Sequence, residues 1–236
     1  MQIVFNIIGG IIVAVLTAIY LELRRRHYKY NFKGVFGQDS DKEFFMIHGS
    51  LRHKDCFDKD GKPMEWPYEK PGAEGSFKST SVISLSGARA AKYLSGVFGK
   101  ILRSAPEFIS DNEKREKLEI SFCSFGGHNN FKTIDILKSD ENKFFDLHAD
   151  KIVSKQDNKE FRMYDNYDCG IILKLIPKNF SKKVWIAAAG LGEWGTSGAA
   201  WYLSRNWKKL PKNRPFGLIT RTKIGQDEST EVVLSL

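Results

Sequence analysis

The chain has 236 residues, 42% of them hydrophobic, which is enough for one sizeable core and short for two. Its 37 Lys and Arg against 28 Asp and Glu give a formal charge of +9. The basic residues are dispersed and no RNA or DNA motif occurs, so a nucleic-acid partner is not expected, and the charge suits an anionic membrane surface or a phosphorylated small ligand.

From Ile3 to about Leu21 the only strongly polar side chain is Asn6, and no charge precedes Glu22. A run of that length spans a hydrocarbon core of about 30 Å. Nothing basic precedes it and Arg24, Arg25 and Arg26 follow it, which is the reverse of a cleaved signal peptide. The expectation is a retained transmembrane helix over residues 1–23 and a basic juxtamembrane linker over residues 24–42; the alternative is a hydrophobic helix packed on the protein's own domain. Since Lys and Arg cluster on the cytoplasmic side, the remaining domain, residues 43–236, is expected in the cytoplasm, anchored by a single pass to the cell inner membrane. Tyr20, Tyr28 and Tyr30 suit the interfacial belt, and the basic block suits anionic headgroups. Gly9 and Gly10 lack the G-x-x-x-G spacing, so pairing of two copies through the membrane is left open.

Glu43 to Leu51 has the content of a strand ending at Gly49. The following stretch, Arg52 to Thr80, is rich in Gly, Pro, Lys and Asp and reads as a long loop. "SVISLSGARAAKYLSGVFGKILRS" begins as a short strand and continues as a helix, with Ala91, Leu94, Val97, Phe98 and Ile101 at helical spacing and Ser84 or Ser86 as cap. Pro106 to Lys117 is charged and reads as exposed. Leu118 to Phe125 is a buried-type strand, followed by the turn Gly126-Gly127 and a helix from Asn129 or Asn130 to Lys138. Short strand signals then alternate with turns up to a clear strand at Cys169 to Ile176. "KKVWIAAAG" reads as a central parallel strand, Thr196 to Leu210 as the helix after it, and the tail as two strands joined near Gly225 to Glu228. Strand, glycine turn and helix recur, which predicts an α/β fold: a three-layer, Rossmann-like domain with a mostly parallel central sheet.

Cys56, Cys123 and Cys169 are widely spaced and lack any C-x-x-C pairing, which argues against a disulfide framework or zinc knuckle and favours a reducing compartment. There is no H-E-x-x-H and no Walker motif, so metal hydrolysis and ATPase chemistry have no support.

Two glycine turns carry the functional expectation. Gly190, Gly192 and Gly195 form a G-x-G-x-x-G between a predicted strand and a predicted helix, the context in which backbone N–H groups cradle a phosphate. Thr196 adds a hydroxyl there, Trp194 could stack on a base and Glu193 could contact a sugar. Gly126, Gly127, His128, Asn129 and Asn130 form the second turn, read as the other wall of one crevice or, on the bland reading, as a helix cap and a polar corner. Ser86, Gly87 and Arg89 offer a third helix start beside them. The acidic residue that would bond a ribose about twenty residues on is missing; Leu218 to Arg221 stand there, and Arg221 could meet another phosphate. The alternative for the first turn is a glycine corner chosen for close packing. Of the remaining polar residues, His48, Tyr164, Asp165, Tyr167 and Asp168 are candidates for lining a pocket, with Asp165 and Asp168 equally readable as turn residues.

A membrane helix followed by a domain bearing "FGGHNN" and "GLGEWGTSGAA" resembles the nucleotide-sensing domains, of the SLOG and TIR-like kind, of bacterial conflict and signalling systems. The likeness runs from about Glu43 to Arg221. It implies a nucleotide or dinucleotide ligand and a membrane-linked output, whereas no position matches the catalytic glutamate of TIR-like enzymes. A sensor, an enzyme working in the same crevice with Glu193, Asp168 or His128 as acid or base, and a ligand-free membrane scaffold are the three functional expectations.

Overall fold

A computed structural model describes residues 2–49, 83–111, 113, 119–128 and 130–236, with the side chains of residues 2–8 left out. Cys56, Asn129 and the loop read over Arg52 to Thr80 lie outside the described residues.

Helix α1 runs unbroken from Gln2 to Phe36. Its two halves meet different surroundings. Every side chain from Ile11 to Leu23 is exposed, whereas Phe32, Val35 and Phe36 are completely buried. The basic stretch read as a linker is therefore the second half of this helix, because the Phe32, Val35 and Phe36 face has a core to enter. Among the residues whose side chains are described, which in α1 begin at Gly9, no helix is long and apolar enough to cross a membrane.

The domain is built on a seven-stranded mixed sheet. In chain order its strands are β1 (Phe45–His48), β2 (Glu107–Ser110), β3 (Phe122–Phe125), β7 (Tyr167–Leu175), β8 (Trp185–Gly190), β9 (Phe216–Lys223) and β10 (Gln226–Ser235). Their spatial order is β10-β9-β7-β8-β3-β1-β2. Strands β2, β1, β3 and β8 are parallel neighbours, while β7, β9 and β10 join through antiparallel pairings. The layout is α/β and consistent with a Rossmann-like arrangement. A separate antiparallel sheet holds β4 (Phe145–Leu147), β5 (Lys151–Ser154) and β6 (Glu160–Arg162).

Helices α2 (Leu85–Leu102) and α4 (Glu193–Asn206) pack on one face with the end of α1, and α3 (Phe131–Lys138) takes the other. The first face is filled by rings: Phe32 stacks on Phe36 at 4.4 Å and meets Phe98 and Trp207 edge-on at 4.8 and 5.1 Å. On the other face Ile136 of α3 meets Phe45, Ile47 and Leu173, and Phe145 and Ile152 of the small sheet close over Ile171 and Ile219. Two expectations are corrected. Pro106 to Lys117 contributes β2, with Ile109 buried, because parallel pairing to β1 satisfies its backbone. The α4 helix starts at Glu193 and ends at Asn206, where Trp207 to Lys209 tightens into a 3-10 turn.

Candidate functional site

In an open α/β sheet the favoured ligand position is the carboxyl edge, where the connections leaving two neighbouring strands diverge. Here that point lies between β1 and β3, since β1 leads through α2 to β2 on one side and β3 leads through α3 toward β7 and β8 on the other. His48 ends β1, and Gly126 and Gly127 follow β3. The adjoining β8 ends at Gly190, and its loop reaches the second glycine turn: a Cβ on Gly127 would stand 2.9 Å from the Gly190 carbonyl oxygen. The two glycine turns thus lie against each other.

The donors expected to hold a phosphate, however, hold the protein's own carboxylate. Asp168, 1% exposed at the start of β7, accepts from the Gly192 N–H at 3.1 Å and from the Gly195 N–H at 2.7 Å. Both oxygens of one side chain cap the start of α4, in the place where the sequence motif predicts an anion. Burial raises the Asp168 pKa, and the bonds from Gly195 and Gly192 oppose that rise. The glycines serve this closeness. A Cβ at Gly195 would run into the Cys169 carbonyl oxygen and one at Gly190 into the Thr196 nitrogen, both backbone atoms that cannot swing aside. Thr196 turns its hydroxyl onto the Gly192 carbonyl, 3.2 Å away.

The start of α3 is also closed. Asn130, fully buried, accepts from the N–H groups of Lys132 and Thr133 through its side-chain oxygen. Its amide donates to the carbonyls of Ile47 and Phe125 at 2.9 and 2.8 Å. One amide therefore caps the helix and ties the two strand ends at the switch point. Asp111 accepts from the Phe131 N–H. At α2, Ser84 is the cap and accepts from the Gly87 N–H.

Glu193 and Trp194, assigned to a sugar and a base, are joined through a side chain from another helix. Arg89 of α2 donates to Glu193 at 2.7 Å and lies over the Trp194 ring, 4.0 Å from its centre. Arg89 also donates to Ser197 at 3.3 Å. Ser197 and Tyr93 both donate to Asp227, at 2.5 and 2.8 Å, and burial, reinforced by the bond to Asp227, pushes the Tyr93 pKa up to about 12. This polar cluster between α2, α4 and the start of β10 is not legible as a unit in the sequence, because its members lie far apart in the chain, Tyr93 and Asp227 by 134 residues.

Arg221 is not brought to the glycine turns: it pairs with Glu231 on β10 and covers the Tyr167 ring. His128 is exposed at the rim, while His48 is buried and stacked on Phe108 at 4.8 Å. Asp165 adopts a left-handed backbone in the turn that links Tyr164 to Tyr167, in keeping with its reading as a turn residue. Among the described residues no group of His, Cys, Asp or Glu is placed to hold a metal ion.

No family model matches the chain, and no match is found among the curated proteins or the solved structures.

Proposed function

We propose that this chain is a membrane-tethered sensor: the first half of α1 is a single-pass anchor in the inner membrane, and the α/β domain on the cytoplasmic side takes a nucleotide-like ligand at the switch point. The anchor is supported by the uncharged, largely apolar sequence from Ile3 to Leu21, the exposed side chains from Ile11 to Leu23 and the three arginines that follow Leu23. The ligand reading is carried by the meeting of the two glycine turns at the carboxyl ends of β3 and β8, next to β1.

The bonds already made limit how such a ligand is held. With the starts of α3 and α4 capped by Asn130 and Asp168, contact falls to the rim: Gly126, Gly127, His128, Glu193 and Trp194. A phosphate reaches the α4 N–H groups only by displacing Asp168. The resemblance to the SLOG and TIR-like domains points to the same ligand class. Turnover has less support, since Asp168 is buried and committed to two backbone bonds and Glu193 is paired with Arg89.

The second reading, a tethered scaffold whose glycines serve packing alone, is favoured by the Asp168 bonds themselves. Thermal unfolding of the full chain in nanodiscs with NAD, cyclic dinucleotides, ATP and GTP separates the readings, with Trp194→Ala and Asp168→Ala beside the parent. A ligand that stabilises the parent, fails with Trp194→Ala and is recovered unchanged supports the sensor. A ligand consumed makes the protein an enzyme. No shift in either parent or Asp168→Ala leaves the scaffold.

A further inference from the structure

Three elements converge beside the last apolar turn of α1. Leu21, Arg24, Arg25 and Tyr28 of α1 line a cleft of about 390 Å³ with Lys100 and Ile101 from the end of α2 and Lys208 from the turn after α4. Lys100, Ile101 and Lys208 also line a second cleft of about 650 Å³, which runs between α2 and α4 past Lys92 and Arg205. The two therefore form one continuous basic groove that starts at the level of Leu21 and leads up the side of the domain.

The cations at its mouth are exposed, and among the described residues no carboxylate pairs with Arg24, Lys100 or Lys208. Glu22, the acidic residue at the same level, is taken by Arg25 at 3.7 Å and Arg26 at 3.0 Å. Tyr28 gathers two of the cations: Arg24 reaches its hydroxyl at 3.5 Å and Lys208 lies 4.5 Å from its ring centre. Unpaired cations held together around an aromatic ring repel one another, and an anion placed between them removes that cost.

We propose that this groove is a binding site for the headgroups of anionic phospholipids, which enter at Lys100, Lys208 and Arg24 and hold the domain against the membrane in one orientation. The proposal rests on the anchor reading of α1. If Leu21 ends the apolar span, any group lining a cleft with Leu21 and Arg24 stands at headgroup depth, and the complementary charge there is lipid phosphate or carboxylate. The ends of α2 and α4 are then docking surfaces, and a ligand held between their other ends, near Arg89 and Glu193, is coupled through two helices to the bilayer.

The full chain is tested in nanodiscs of neutral phosphatidylcholine and of the same lipid with phosphatidylglycerol, by amide hydrogen exchange over residues 96–102 and 204–209. Exchange there should slow on the anionic discs by about fivefold for each lysine engaged, and Lys100→Glu with Lys208→Glu should abolish the slowing while leaving the exchange on neutral discs unchanged. Failure of the full chain to incorporate into either disc would sink the anchor reading. Incorporation into both with equal exchange in the two segments would overturn the headgroup site and leave the anchor standing. Equal slowing by inorganic phosphate on neutral discs would also overturn it, as the groove would then serve a soluble anion.

Discussion

Asp168 decides more about the glycine loop than any glycine in it. Its carboxylate closes two N–H groups that would otherwise be unpaired at a buried helix start, and charged hydrogen bonds of this kind contribute about 1.5 to 3 kcal/mol each way they are lost. Asp168→Ala should therefore lower the unfolding free energy by about 2 to 3 kcal/mol in urea titrations, with Asp168→Asn closer to the parent because its amide oxygen still accepts one bond. Lys174 is the second residue whose surroundings set its behaviour. It is fully buried on β7 and donates from Nζ to the Gly34 carbonyl at 2.6 Å, near the carboxyl end of α1. Burial brings its pKa down to about 8 from an ordinary 10.5. The unfolded chain thus holds the proton more tightly than the folded one across that window, so stability gains as pH rises from about 8 to 10.5. Measured against Lys174→Met, which has no titrating group there, the parent should gain stability over that range; a flat difference would show that the amine keeps its normal proton affinity.

At the scale of elements, α1 and α4 owe their positions to different devices. The second half of α1 is held by rings, with Phe32 central among Phe36, Phe98 and Trp207, and by Asp41, which pairs with Lys29 at 2.8 Å and Lys33 at 2.6 Å. Phe32→Ala should cost about 3 to 5 kcal/mol and raise hydrogen exchange across residues 28–36, since it opens a void where α1, α2 and α4 meet. The α4 helix is held by the absence of side chains. A Cβ on Gly198 would collide with the hydroxyls of Thr222 and Thr230, which bond each other at 2.9 Å beneath it. Gly198→Val should therefore destabilise the domain by about 1 to 3 kcal/mol or more through overpacking, read from the same urea titrations, without bearing on the rim residues. The apolar and small-residue patterns of both helices are visible in the sequence, but what each small residue faces is not.

For the whole molecule, the sequence by itself determined the α/β class, the strand, glycine turn and helix units around Gly126 and Gly190, and the helical periodicity of α2, because these follow from local residue types and spacing. It also placed the last two strands about a turn near Gly225, which has φ of +89°. Tertiary structure decided the rest. Strand β7 enters antiparallel between β8 and β9, and Gly170 stands opposite Gly190. That pairing delivers Asp168, 24 residues before Gly192, onto the loop where the motif alone would put a phosphate. Likewise the cluster of Arg89, Glu193, Ser197 and Asp227, and the groove shared by Leu21, Lys100 and Lys208, bring together residues far apart in the chain. A glycine motif states where a backbone can come close to something; only the packed sheet decides that the something is a neighbouring carboxylate, because long-range strand pairing leaves no trace in local spacing.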